Sequence, residues 1–235
     1  MLKNNIAATI ITAVIALTWL RINDFFAHKG WISSELSRKV IHIGTGPIFV
    51  LCWFLFNETP SAPFLAALIP MTITVQFILV GLGVIKDASA VDAMSRTGDR
   101  KEIFRGPLFY GIVFVILTII FWRRSPVGIV ALMTMCGGDG MADVVGKRIS
   151  SVKLPWARKK SLAGSLAMLL GSFVFAVLIL WAFIMNEHFP GPLTNYLLPV
   201  GIIAFVSTLV ESFPLRDVDN ITVPLTSVVL GLFLF

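Results

Sequence analysis

Charged residues are scarce in this chain. They make up 14% of its 235 residues, against roughly a quarter in an average soluble domain. Long polar stretches are missing too, and 57% of the residues are hydrophobic. That balance excludes a soluble globular protein. It points to an integral membrane protein whose apolar runs of roughly 20 residues each use up the length. No room is left for a soluble catalytic domain, so 1–235 is expected to be a single membrane-embedded domain with its chemistry in short loops and span ends. Only two cysteines occur, Cys52 and Cys136, both in apolar surroundings and at neither disulfide nor metal-ligand spacing. We find no internal repeat and no low-complexity segment, which leaves an inverted-repeat transporter without support.

What is present is a series of apolar runs with charge confined between them. The runs are Asn4–Leu20, Val40–Phe56, Pro63–Ile85, Gly106–Trp122, Pro126–Gly146, Ser161–Met185, Asn195–Phe213 and Ile221–Phe235. The first lacks a small-x-small cleavage site before Arg21 and reads as a span rather than a secretory signal. The last is near the lower length limit, so it is an eighth span or a re-entrant piece. Of the 19 Lys and Arg residues, 16 fall after the first, third, fifth and seventh runs. The net charge of +6 therefore follows membrane topology and calls for no nucleic-acid partner. The same asymmetry puts those loops on the cytoplasmic or stromal face, with Arg123 and Arg124 on the other side against the rule. The expected fold is all-α, a polytopic bundle of seven to eight transmembrane helices with its functional site in loops and span ends on the cytoplasmic side.

The stretch from Cys136 to Met168 holds two acids, Asp139 and Asp143, followed by Lys147, Arg148, Lys153, Arg158, Lys159 and Lys160. Residues four apart on a helix lie about 40° from each other, close enough to share a cation. A carboxylate at membrane depth is costly enough to imply function. Gly137, Gly138 and Gly140 around the first acid suggest that the helix breaks or starts there and presents amides to anionic oxygens. Mg²⁺ suits such acids, since it takes a few carboxylates plus substrate phosphates. The alternative is a pair of interfacial acids balancing Lys147 and Arg148. Lys159, Lys160 and Ser161 lead into Gly164 and Ser165, small enough for a phosphate to approach, although topology alone also places basic residues before a span. Pro155 and Trp156 read as loop punctuation and interfacial anchor.

Two further clusters fall on the same face. Arg38, Lys39 and His42 precede Gly44 and Gly46, and His42 suits a phosphate contact, a proton acceptor or a structural role. Glu211, at the end of an apolar run, calls for a metal or a basic partner. Asp217, Asp219 and Asn220 follow it, the last two also being ordinary turn formers.

These segments carry a family resemblance. SRKVIHIGTGP at Ser37–Pro47, GDGMADVVGKR with KLP and KKSLAGSLAM, and VES with DNITVPL at Asp219–Leu225 resemble, in this order, the phytol kinase branch of the CTP-dependent polyprenol kinases. The wider group includes dolichol kinase, CTP-dependent diacylglycerol kinase and, more distantly, phosphatidate cytidylyltransferase. The resemblance implies a kinase moving the γ-phosphoryl group of CTP to a primary hydroxyl of a lipid alcohol, with Mg²⁺. By it, Asp139, Asp143, Gly146, Lys147, Arg148, Lys160, Ser161, Gly164 and Ser165 form the CTP and Mg²⁺ site, and Arg38, Lys39, His42, Glu211, Asp219 and Asn220 complete it. Asp139, Asp143, Glu211 and Asp219 are then the metal ligands. A bacterial inner membrane or a plastid membrane would house the protein. The long N-terminal extension expected of a plastid-targeted plant enzyme is not seen, which favours a bacterial protein or a trimmed chain. The competing activities are phosphorylation of diacylglycerol, cytidylyl transfer, and small-molecule transport.

Overall fold

The computed structural model of the chain describes residues 4–88, 90–91, 95, 98–213 and 218–235. Asp217, named above, lies outside the described residues, as do Asp92 and Arg96 in the polar loop before the fourth run.

Local chemistry sets the helix starts. The side chain of Asn4 accepts from Ile6 N (2.8 Å) ahead of α1, Asn5–His28, and Ser33 from Leu36 N (3.2 Å) ahead of α2, Ser34–Cys52. Proline near the first position opens α3 (Ala62–Leu82), α4 (Gly106–Ile120) and α5 (Pro126–Met133), where its missing N–H costs nothing. α3 ends at Gly83, whose φ of +78° is the left-handed cap that glycine adopts freely. After α5 the helix does not break at the glycines. It continues through a π-helical turn, Thr134–Asp139, into α6, Gly140–Arg148. Then come a two-stranded antiparallel hairpin, β1 (Lys153–Leu154) and β2 (Ala157–Ser161), and α7 (Leu162–Met185), α8 (Thr194–Ser212) and α9 (Asp219–Leu234).

Seven of these segments are long and apolar enough to cross a membrane, and the fifth, Pro126–Arg148, is the axis of the bundle. It is 78% buried, against 17% for α1 at the periphery. Small residues explain its position. A Cβ at Gly137 would press into Phe175, one at Gly138 would overlap Ser172 Oγ, and one on the facing Gly171 would meet the Gly137 carbonyl at 2.7 Å. Close backbone approach is how membrane helices gain packing energy. The glycines around Asp139 therefore serve helix contact and do not open a helix N-terminus toward an anion, as the sequence reading had expected.

The eighth run forms α9. Asp219 at its start lies beside Glu211 at the end of α8, and Phe235 past its end contacts Tyr196 at the start of α8 (ring centroids 6.0 Å). It runs back along the whole of α8 as one continuous helix, at 16 residues shorter than the seven long apolar segments. Thr134, Ser207 and Ser227 join the π turn, α8 and α9 through buried hydroxyl contacts of 2.8 and 3.0 Å.

Two loop expectations change. The stretch Arg21–Lys39 is mostly helical, because α1 runs on to His28 and α2 already starts at Ser34. The basic loop after the fifth span is a hairpin. Arg123 also loses its status as an exception to the charge rule. It is buried, donates to the carbonyls of Trp53 (3.1 Å), Phe56 (3.1 Å) and Asn57 (2.9 Å), and pairs with Glu58 at 3.1 Å. It closes the open carbonyls at the end of the second span, a task set by hydrogen bonding and not by orientation across the bilayer.

Candidate active site

Four parts of the chain meet at one end of the bundle: α2, the π turn with α6, β2, and the junction of α8 with α9. Carboxylate oxygens of Asp139, Glu211 and Asp219 lie within 4.8 Å of one another. Lys160, brought in by β2, donates to Glu211 and reaches Asp219 Oδ2 at 3.5 Å. Burial, the largest single influence on Lys160, disfavours its charge, but Glu211 and Asp219 outweigh it and the pKa is raised above the ordinary lysine value. The ammonium is charged at any physiological pH.

His42 approaches the same acids from α2. Its Nε2 is 3.4 Å from Asp139 Oδ2 and 3.2 Å from the Met135 carbonyl. Both neighbours are acceptors, so Nε2 is the ring nitrogen that carries hydrogen toward them, and Nδ1 takes no part in either contact. The π turn is what exposes the Met135 carbonyl to this contact, since widening a helix by one residue frees backbone groups, and π turns recur at functional sites for that reason.

Asp143 is placed differently from the expected metal pair. One helical turn beyond Asp139, it is held by Lys39 (3.2 Å) and Lys147 (3.0 Å), and Lys147 also reaches Glu35. Lying about 6 Å farther along the axis, it meets the span-end cations instead of Glu211 and Asp219. The acids that converge are Asp139, Glu211 and Asp219. That set fits a hard divalent cation, which takes oxygen ligands. One oxygen is open for it: Asp219 Oδ1 is buried and, among the described residues, has no hydrogen-bond partner.

The remaining expected residues divide. Asn220 Nδ2 donates to the Gly106 carbonyl (2.9 Å), which ties α9 to α4, and its Oδ1 is buried without a partner among the described residues. Ser165 Oγ is likewise buried and unpartnered. Ser161 caps α7 by accepting from Gly164 N (3.3 Å). Gly146 and Gly164 face each other, a Cβ on the first lying 3.3 Å from the Cα of the second, so helix crossing accounts for both. Arg38 donates to the Ser95 carbonyl (2.9 Å), Arg148 to the Val144 carbonyl of its own helix (3.2 Å), and Lys159 is exposed on β2.

Tyr110 and Glu35 went unnoticed in the sequence. The Tyr110 hydroxyl donates to the His42 carbonyl (2.8 Å) and its ring lies 4.5 Å from the imidazole. Tyr110 is one of two tyrosines in the chain, and a hydroxyl inside an apolar run was the available signal.

Against curated proteins, the chain is 39% identical over 234 residues, 98% of its length and 72% of the relative's, to "Probable phytol kinase 3, chloroplastic" of Glycine max. This chain belongs to the phytol kinase family. Members from Arabidopsis thaliana include "Farnesol kinase, chloroplastic", 36% identical over 99% of this chain and 76% of the relative, and "Phytol kinase 1, chloroplastic", 32% identical over 97% and 75%. No family model and no solved structure matches the chain. The match to the Glycine max relative covers 98% of this chain.

Proposed function

We propose that the protein is a membrane-embedded isoprenoid-alcohol kinase that transfers the γ-phosphoryl group of CTP to the primary hydroxyl of phytol or a related alcohol. The observation that carries this reading is the convergence of Asp139, Glu211, Asp219, Lys160 and His42 at one end of an apolar bundle. Phosphoryl transfer depends on positioning and charge neutralisation, and these groups supply both. Asp139, Glu211 and Asp219 would hold Mg²⁺, which lowers the negative charge of the nucleotide phosphates when bound.

In the transfer, the alcohol oxygen forms the new bond to phosphorus as the bond from phosphorus to the bridging oxygen breaks, and CDP leaves with that electron pair. The hydroxyl proton goes to His42 Nδ1. Asp139, on the opposite ring nitrogen, holds the imidazole in orientation and stabilises its protonated form. Lys160 and the cations Lys39 and Lys147 place positive charge beside the phosphates. The prenyl tail lies among the apolar spans, in a plastid or bacterial-type membrane, with the site on the stromal or cytoplasmic side.

The test is purified protein in detergent with Mg²⁺, each nucleoside triphosphate labelled at its γ-phosphate, and a panel of phytol, geranylgeraniol, farnesol, dolichol and diacylglycerol. Labelled isoprenoid monophosphate plus CDP is expected. A preference for diacylglycerol, or release of pyrophosphate with a CDP-lipid, would overturn it.

A further inference from the structure

We infer that the outer face of the β1–β2 hairpin is a docking surface for anionic lipid headgroups. The hairpin is short and its two ends are fixed: Arg148 closes the fifth span and Leu162 opens the sixth, so it lies where those helices emerge from the bilayer. Its inner side chains Leu154 and Ala157 are buried against the protein. Trp156, at the turn, donates its indole N–H to Ser212 Oγ at 3.1 Å, which pins the hairpin to the end of α8.

The outer face is apolar and cationic together. Val152 is 75% exposed and Ile149 55% just ahead of β1, Trp156 is 54% exposed at the turn, and Lys153 and Arg158 on the two strands are exposed as well. No acidic residue occurs in the sequence between Asp143 and Glu187, so nothing along this segment neutralises those cations. Large apolar side chains beside cations, at the level of the headgroups, match a surface that buries carbon at the acyl boundary and pairs charge with lipid phosphate. A zwitterionic surface would satisfy only the apolar half. The fit is to an anionic leaflet, where each nearby basic side chain favours the docked form by about fivefold.

The full chain reconstituted into phosphatidylcholine vesicles, with or without phosphatidylglycerol and with brominated acyl chains as quencher, reads this directly. The contribution of Trp156 is taken as the difference from Trp156→Phe. Quenching of Trp156 is expected to be stronger in the anionic vesicles, and the increment should vanish in high salt and in the Lys153→Gln/Arg158→Gln variant, whose loss of two cations lowers the docked ratio about twenty-five-fold. Val152→Ser keeps both charges and should weaken quenching in both vesicle types. Equal quenching of Trp156 with and without phosphatidylglycerol overturns the inference. So does an increment that follows the protein-to-lipid ratio instead of lipid charge, which would make the partner a second copy of the chain.

Discussion

His42 and Asp139, 97 positions apart in sequence, meet across the α2–π turn contact with Nε2 3.4 Å from Oδ2. The carboxylate and the Met135 carbonyl both accept from one ring nitrogen, so the geometry puts hydrogen there and leaves the other nitrogen out of both contacts. Removing the ring should act on the rate and not on nucleotide binding. His42→Gln is expected to lower kcat by about 10²–10⁴-fold with little change in KM for the nucleotide. Steady-state kinetics on phytol check this, and a His42→Gln enzyme within a few-fold of the parent rate would exclude the ring as proton acceptor.

Lys160 and Glu211 form the most enclosed ion pair of the cluster, Glu211 being buried. Taking away one partner leaves the other charged in a poor solvent, whereas taking away both removes the problem. Because Lys160 keeps some contact with water, the expected cost of Glu211→Gln is moderate, about 2 kcal/mol. The double variant Lys160→Met/Glu211→Gln should lose less than the sum of the two single variants, although Asp219 also loses its cation. Thermal unfolding in detergent measures both, and additive losses in the double variant would show that the pair does not interact as described.

Gly171 faces the Gly137 carbonyl so closely that a Cβ would sit 2.7 Å from the oxygen and 3.1 Å from Met141 Cβ. Backbone cannot step aside as a side chain can. Gly171→Ala should destabilise by about 1–3 kcal/mol and, by pushing on the π turn, reduce activity as well. Unchanged melting and unchanged turnover together would mean that α7 can shift without disturbing Asp139.

At the opposite end of the bundle, His188 stacks on Phe54 (5.5 Å, 15°) with Arg123 and Glu58 nearby. Burial first, then the Arg123 charge, lowers its pKa below the ordinary value of 6.5. The folded state thus binds the proton less readily than the unfolded chain. Its contribution to stability is complete above the ordinary value and is lost as pH falls through the lower, folded one. Melting temperature should therefore drop on acidification from neutrality, and His188→Phe, which keeps the stack and removes the titration, should reduce that drop. An identical acid response in the variant would place the effect elsewhere.

Much of the fold was legible because bilayer length and charge asymmetry act locally along the chain. Each apolar run had to be a helix, since lipid offers its backbone no other partners. Span ends were less so: α1 continues well past Arg21, because charged residues at the membrane surface neither require nor forbid helix. Asp139 and Glu211 could be singled out as costly charges in or beside apolar runs, Lys160 as part of the basic stretch before the sixth run, and Asp219 through the family resemblance. Helical spacing describes one helix, so it could not show that Asp143 meets Lys39 and Lys147 while Asp139 meets groups from α2, β2, α8 and α9. The glycines failed for the same reason, their neighbours being on other helices.

Composition and charge pattern alone determined an all-α membrane bundle, its run of spans and the face on which its acids and bases gather, since each follows from what neighbouring residues do in lipid and at its surface. Only the tertiary structure decided which acids share a site, which nitrogen of His42 holds the proton and why Arg123 is buried. Those depend on distances between segments far apart in the chain, and they are set by how closely the small residues of Pro126–Arg148 let the surrounding helices approach.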